Sequence, residues 1–236
     1  ADMKRAIFFA LTILVSVAAR ADMLLGWDLT NQAGNAASAM SDFSAANIDV
    51  GYITRGTGIS ASNRTNSFSA SSWVVGGGWT EATNESSYFS FIITAAEGYE
   101  LTITNFSARI GRSGTGPTNY YLASSYDNFE TPLFTTNRTV QASFSLGNVA
   151  GGHYQLGLSI GGVGSGLSTL EFRVYGASAG SAAGTSYIDG GGTSIADGMD
   201  AAIFGSVTQV VPEPSSLVLM GLAGFALYSA RRRYQS

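Results

Sequence analysis

The sequence predicts an all-β protein, an antiparallel β-sandwich of jelly-roll-like outline, flanked by an N-terminal signal helix and a short C-terminal transmembrane helix. Three observations carry that prediction. Apolar residues recur with period two through the middle of the chain, Gly-rich breaks separate these runs about every ten residues, and only 12% of the 236 residues are charged. A helical 3.6 period is hard to find between residues 22 and 210. A core must therefore be built from aromatic and β-branched residues between polar turns.

Taken in order, Phe89, Phe91 and Ile93 alternate with Ser90 and Ile92. Leu101 and Ile103 are in step, and then Phe106, Ala108 and Ile110 continue one position out of phase. A β-bulge near Asn105 produces such a slip. Tyr154, Leu156, Leu158 and Ile160 repeat the pattern. Further on, Leu170, Phe172 and Val174 share one face while Thr169, Glu171 and Arg173 share the other. The breaks are Gly76-Gly77-Gly78, Gly114-Thr115-Gly116-Pro117, Gly161-Gly162 and Gly190-Gly191-Gly192. Short strands with such turns fit a sandwich; a β-helix is the alternative, but no fixed-length repeat is visible.

The chain divides into residues 1–21, a signal peptide; 22–210, one ectodomain; and 211–236, a C-terminal signal. Met3 reads as the initiator. Lys4-Arg5, an apolar run from Ala6 to Val17, and small residues at Ala19 and Ala21 make a secretory signal cut before Asp22. At the other end, Val211-Pro212-Glu213-Pro214 precedes an apolar stretch and then Arg231, Arg232 and Arg233. Residues 215–230 span about 24 Å as a helix, short of the ~30 Å hydrocarbon core. That makes a marginal anchor. Pro212 and Pro214 keep the preceding strip extended, and the arginines hold the terminus in the cytoplasm.

Pro212-Glu213-Pro214, a short apolar helix and an arginine cluster, in this order, resemble the PEP-CTERM sorting signal. The resemblance implies that exosortase, a membrane-embedded cysteine transpeptidase-like enzyme, reads it, and that the source is a bacterium making extracellular polysaccharide. It further implies a protein of the cell envelope or extracellular matrix, anchored in the membrane only until processing. Gly26-Trp27-Asp28, Gly116-Pro117, Ser124-Ser125-Tyr126-Asp127-Asn128-Phe129 and Phe172-Arg173-Val174-Tyr175-Gly176 resemble ectodomains that precede such signals. Those are predicted jelly rolls similar in outline to carbohydrate-binding modules, mostly without known activity.

Between residues 22 and 211 lie 14 acids against 6 arginines, a net of −8. A domain this acidic lacks the electrostatic footprint of a nucleic-acid binder. Cysteine is absent, which removes thiol catalysis, disulfides and Cys-based zinc sites. The single histidine, His153, reads as a solvated strand position. Gly164-Ser165-Gly166 lacks the spacing of a nucleophile elbow, and neither a zincin motif nor a phosphate loop occurs. The sequons at Asn63, Asn84, Asn105 and Asn137 read as polar loop and strand content.

Two features point to binding. Trp73, Trp79, Tyr120, Tyr121, Tyr126 and Phe129 offer aromatic faces for sugar rings, with Asp127 and Asn128 beside them to bond hydroxyls. The other reading, which the sequence favours, is that these rings fill the sandwich core. Asp189, Asp197 and Asp200 flank a Gly-rich loop with the oxygen ligands that Ca²⁺ prefers, though without EF-hand spacing; a plain solvated turn is the alternative. The sequence thus predicts an exported surface or matrix protein that is structural, adhesive or glycan-binding, without a catalytic site. Its rival is a secreted carbohydrate-active enzyme using a pair of acidic residues.

Overall fold

A computed structural model describes residues 22–137, 154–189 and 198–210. The segments before, between and after them include the signal helix and the transmembrane helix expected at the two ends, together with His153. In chain order the elements are β1 (Asp22–Trp27), β2 (Ala39–Met40), β3 (Phe43–Ser44), β4 (Tyr52–Arg55), β5 (Ser60–Ala61) and β6 (Ser67–Ser71). A helix α1 (Trp79–Asn84) follows, then β7 (Tyr88–Thr94), β8 (Tyr99–Arg112), β9 (Asn119–Ser124) and β10 (Phe134–Asn137). The last four strands are β11 (Tyr154–Leu167), β12 (Thr169–Ala177), β13 (Ser186–Asp189) and β14 (Ala201–Gln209).

These strands form two antiparallel sheets. The six-stranded sheet runs β10-β9-β12-β7-β4-β2, and the eight-stranded sheet runs β3-β1-β14-β8-β13-β6-β5 with β11 also on β8. Ile110 of β8 faces both Tyr154 of β11 and Ile188 of β13, while Ala108 faces both Leu156 of β11 and Ala201 of β14. So β11 takes one edge of β8, and β13 and β14 follow one another along the other. They are one strand track, interrupted opposite Arg109.

The period-two runs of β7 and β12 become strands because each buries one face. Phe89, Phe91 and Ile93 of β7 and Leu170, Phe172 and Val174 of β12 are all fully buried. Between the sheets the rings meet edge-on or tilted: Trp27 on Phe91 at 5.6 Å, Phe91 on Phe106 at 5.0 Å, Phe106 on Phe172 at 5.2 Å, and Trp73 on Phe89 at 5.1 Å. Such aromatic pairs add to the area they bury. The phase slip in β8 is a bulge: Phe204 pairs with Asn105 but Gly205 pairs with Ile103, leaving Thr104 extra. It lets Leu101, Ile103 and Phe106 all point inward. Gly205 is required there, since a Cβ would run into the Thr102 carbonyl.

The ends of the domain leave together. Asp22 pairs with Gly205, and Gln209 pairs with Tyr99. The first and last strands are antiparallel neighbours, so the chain enters and exits at one end of the sandwich.

Candidate functional site

Ectodomain arginines do structural work before any other. Arg55 donates to the carbonyls of Ser69, Ala36 and Gly34 and lies 3.7 Å over the Phe68 ring; burial pulls its pKa down to about 10, still well above neutrality. Arg112 ties the Gly114 and Gly116 carbonyls, and Arg64 stacks on Tyr187 at 3.9 Å. Arg109 and Arg173 each meet carboxylates.

Arg109 sits where the strand track breaks. Its guanidinium lies 3.5 Å from Asp189 and 3.7 Å from Asp200, with all three side chains no more than 3% exposed. Asp200 also accepts the Leu29 N–H at 2.9 Å, and its own carbonyl takes the Arg109 N–H at 2.8 Å. β13 ends at Asp189 and β14 begins at Ala201, so the ion cluster ties these two strand ends to β8. Burial pushes the Asp200 carboxyl up to about 6, against the Leu29 N–H and Arg109, which favour the charged form. This placement bears on the calcium reading. Asp189 and Asp200 already share a cation supplied by the protein, and a divalent ion between them would face its positive charge. Asp197 lies outside the described residues. Asp189 and Asp200 do not fit a Ca²⁺ site.

The aromatic candidates separate. Tyr120 is core, 2% exposed, with its hydroxyl 2.8 Å from Ser186 Oγ across the sandwich; burial pushes its pKa up. It is out of reach of a surface ligand. Trp73 is likewise buried and donates to the Ala70 carbonyl at 2.9 Å. Tyr121 instead lies on the outer face of the six-stranded sheet, 5.5 Å from Trp79 of α1. Trp79 and Tyr88 both sit edge-on to Tyr175 at 5.0 Å. The helix therefore roofs one end of that face. Glu81 steadies its start by accepting the Gly78 N–H at 2.7 Å, which also holds the Glu81 carboxyl below its usual range.

Beside this roof the face is open. Arg173 forms a two-pronged pair with Glu171, at 2.7 and 3.2 Å, and lies 4.3 Å from the Tyr88 ring centre and 3.8 Å from that of Phe129. Glu171 also accepts the Ser90 hydroxyl at 2.7 Å. The turn Ser125–Asp127 abuts the strip, because Ser125 Oγ takes the Glu171 N–H at 3.0 Å. Asn128 and Phe129 then adopt φ of 56° and 61°. A bulky residue in the left-handed region is strained, and here it swings the Phe129 ring onto Arg173. Asp127 caps the turn by accepting the Thr131 N–H at 3.1 Å. Tyr126 projects from this turn, 62% exposed. On the far side, Met40 of β2 opposes Tyr52 of β4, which opposes Ile92 of β7, which opposes Glu171. Tyr52 is 44% exposed. Of the residues on this face, the sequence pointed to Tyr126, Asp127 and Asn128; it did not point to Tyr52, Glu171 and Arg173, whose proximity depends on strand order.

The second functional feature is the exit. Val210 donates its N–H to the Gly98 carbonyl at 2.8 Å, directly after β14. Ala19, Ala21, Pro212, Glu213, Pro214, Arg231, Arg232 and Arg233 lie outside the described residues. A β-sandwich whose final strand runs without a spacer into a proline-punctuated, apolar, basic tail defines an exported protein carrying a C-terminal sorting address. Residues 210–233 match the family model of the PEP-CTERM protein-sorting motif. The motif marks an exosortase-sorted extracellular protein: it implies export to the cell envelope or surface and processing by exosortase, a membrane protease. Searches of curated proteins and of solved structures found no match to the chain.

Proposed function

We propose that the sandwich is the delivered part of a non-enzymatic protein of the cell surface or polysaccharide matrix, adhering to glycan through the outer face of its six-stranded sheet. The observation that supports this most is the exposed Tyr52 and Tyr126 on either side of the strip formed by the part-exposed Glu171 and Arg173, which the buried Ser90 hydroxyl steadies from beneath. Flat rings offer stacking for the C–H faces of sugars, and the strip between them offers hydroxyl partners. Strands ~4.8 Å apart put Tyr52 about 10 Å from the Glu171 column, room for a short run of sugar units.

Charge narrows the ligand to a neutral glycan. Four of the six ectodomain arginines are engaged with carbonyls or carboxylates, Arg64 stacks on a ring, and Arg138 lies outside the described residues. Asp28, Asp42, Asp49, Glu85 and Glu97 are exposed. Such a surface repels uronate-bearing polymers at low salt. A glycan array probed with the mature protein tests the reading. Binding to neutral chains, lowered roughly tenfold by Tyr52→Ala or Tyr126→Ala through loss of a ~1–2 kcal/mol stacking contact, is the expected result. Binding that survives both substitutions, or hydrolysis of any polysaccharide offered, would overturn it; hydrolysis would instead favour the carbohydrate-active enzyme.

A further inference from the structure

We infer that exosortase cuts this protein from a locally opened form of the sandwich, in which residues 206–210 have left β8. The inference rests on exosortase processing at the C-terminal motif. Its structural basis is the absence of slack between fold and signal. The ladder with β8 continues to Gln209 opposite Tyr99, and Val210 adds one more bond to Gly98. An extended chain gains at most ~3.6 Å per residue. Pro212 is therefore within about 7 Å of the last bonded residue and Pro214 within about 14 Å. Two packed sheets are ~10 Å apart between their backbones alone. An enzyme that binds an extended strip on both sides of the bond it cuts has no room for the upstream residues while they remain in the ladder.

The same residues are the part of β14 least held in place. Asp22 pairs with Gly205, so among the described residues β1 supports β14 only as far as Gly205. Beyond it, Ser206 to Gln209 pair with β8 alone. Ser206, Thr208, Gln209 and Val210 are exposed, and only Val207 packs against the core. Opening this end breaks one ladder and uncovers one apolar side chain, so it lies at the low end of local unfolding free energies. Ala201 to Gly205, flanked on both sides by β8 and β1, set the limit of opening. The sandwich stays closed while its tail is cut, and the cutting rate follows the open population.

The chain contains no cysteine, which permits a clean clamp. Glu100 and Thr208 are directly opposed, and opposed antiparallel residues have Cα atoms ~4.5–5.5 Å apart, within disulfide reach. In the full-length chain, Glu100→Cys with Thr208→Cys should oxidise outside the cytoplasm and lock the end of β14. Pulse-chase in an exosortase-bearing host, following a C-terminal tag, should show loss of that tag slowed roughly tenfold or more relative to the Glu100→Ser, Thr208→Ser control. A second variant keeps the clamp and adds a Gly-Ser linker of about eight residues after Val210, reaching roughly 15 Å. It should be cut at the control rate, a rescue that a misfolded domain would not show. Cutting of the clamped chain at the control rate, or failure of the linker to rescue it, overturns the inference. If the unmodified chain keeps its tag, exosortase processing itself fails and the inference with it.

Discussion

Arg109 and Arg173 occupy outward-facing positions of the two sheets, and both meet carboxylates, yet their surroundings differ completely. Arg109 is 2% exposed and shared by Asp189 and Asp200, where two segments of strand must be held end to end on β8. Arg173 is 25% exposed, paired with the single carboxylate of Glu171, hydrogen-bonded to the Tyr175 hydroxyl at 3.4 Å, and wedged between the rings of Tyr88 and Phe129. Burial raises the stakes at the first: removing one partner strands charge where water cannot reach it. At the second, water screens the ion pair and most of the organising is done by stacking. Arg109 belongs to a cluster that holds the fold, and Arg173 to one that shapes a surface.

Removing each arginine should produce very different losses of stability. Arg109→Met leaves Asp189 and Asp200 without their shared cation and should cost about 3–5 kcal/mol, read as the loss in urea unfolding free energy. A loss no larger than that of Arg173→Met would erase the distinction. Arg173→Met should cost no more than about 1 kcal/mol, while weakening glycan binding on the array.

A smaller effect is expected from pH. The folded Asp200 pKa of about 6 lies above the unfolded value of ~3.9, so between these values the folded state keeps a proton that the unfolded chain has lost. Stability from this group is fully present below about pH 4 and is lost as pH rises through 6. The wild type should lose on the order of 2 kcal/mol more than Asp200→Asn between pH 4 and 7.5. Equal slopes in urea titrations of the two proteins would show that Asp200 is ordinary. Smaller still is Tyr120→Phe, which removes the inter-sheet bond to Ser186 and should lower stability by about 1 kcal/mol without altering glycan binding. A loss of binding would return Tyr120 to the surface site.

The alternating runs of β7 and β12 were legible because both bury large apolar side chains at every second position on their inner face. The bulge in β8 was legible for the same reason, as a change of phase among buried residues. Other features were not. Helix α1 has six residues, too few to display a 3.6-residue period or to be stable by propensity; it exists because Trp79 and Ala82 cover Tyr175 and Ala123. Asp189 and Asp200 looked like loop carboxylates because their partner, Arg109, is some 80 residues earlier in the chain. Tyr52, Glu171 and Arg173 come from β4 and β12, and only the strand order β12-β7-β4 brings them onto one face. The tail behaved oppositely. Its proline strip, apolar run and arginines are contiguous, so the address was readable without any fold at all.

Whether this sandwich is carried outside and freed by processing at its C-terminal motif can be read from two tags on one chain. One tag is placed after Asp22 and the other after Ser236, and the protein is expressed in a host carrying exosortase. The wild type should appear outside the cytoplasm with the first tag and without the second. Pro212→Ala, Glu213→Ala, Pro214→Ala together should stay in the membrane fraction with both. Retention of both tags by the wild type would contradict the account and leave the C-terminal segment a simple anchor.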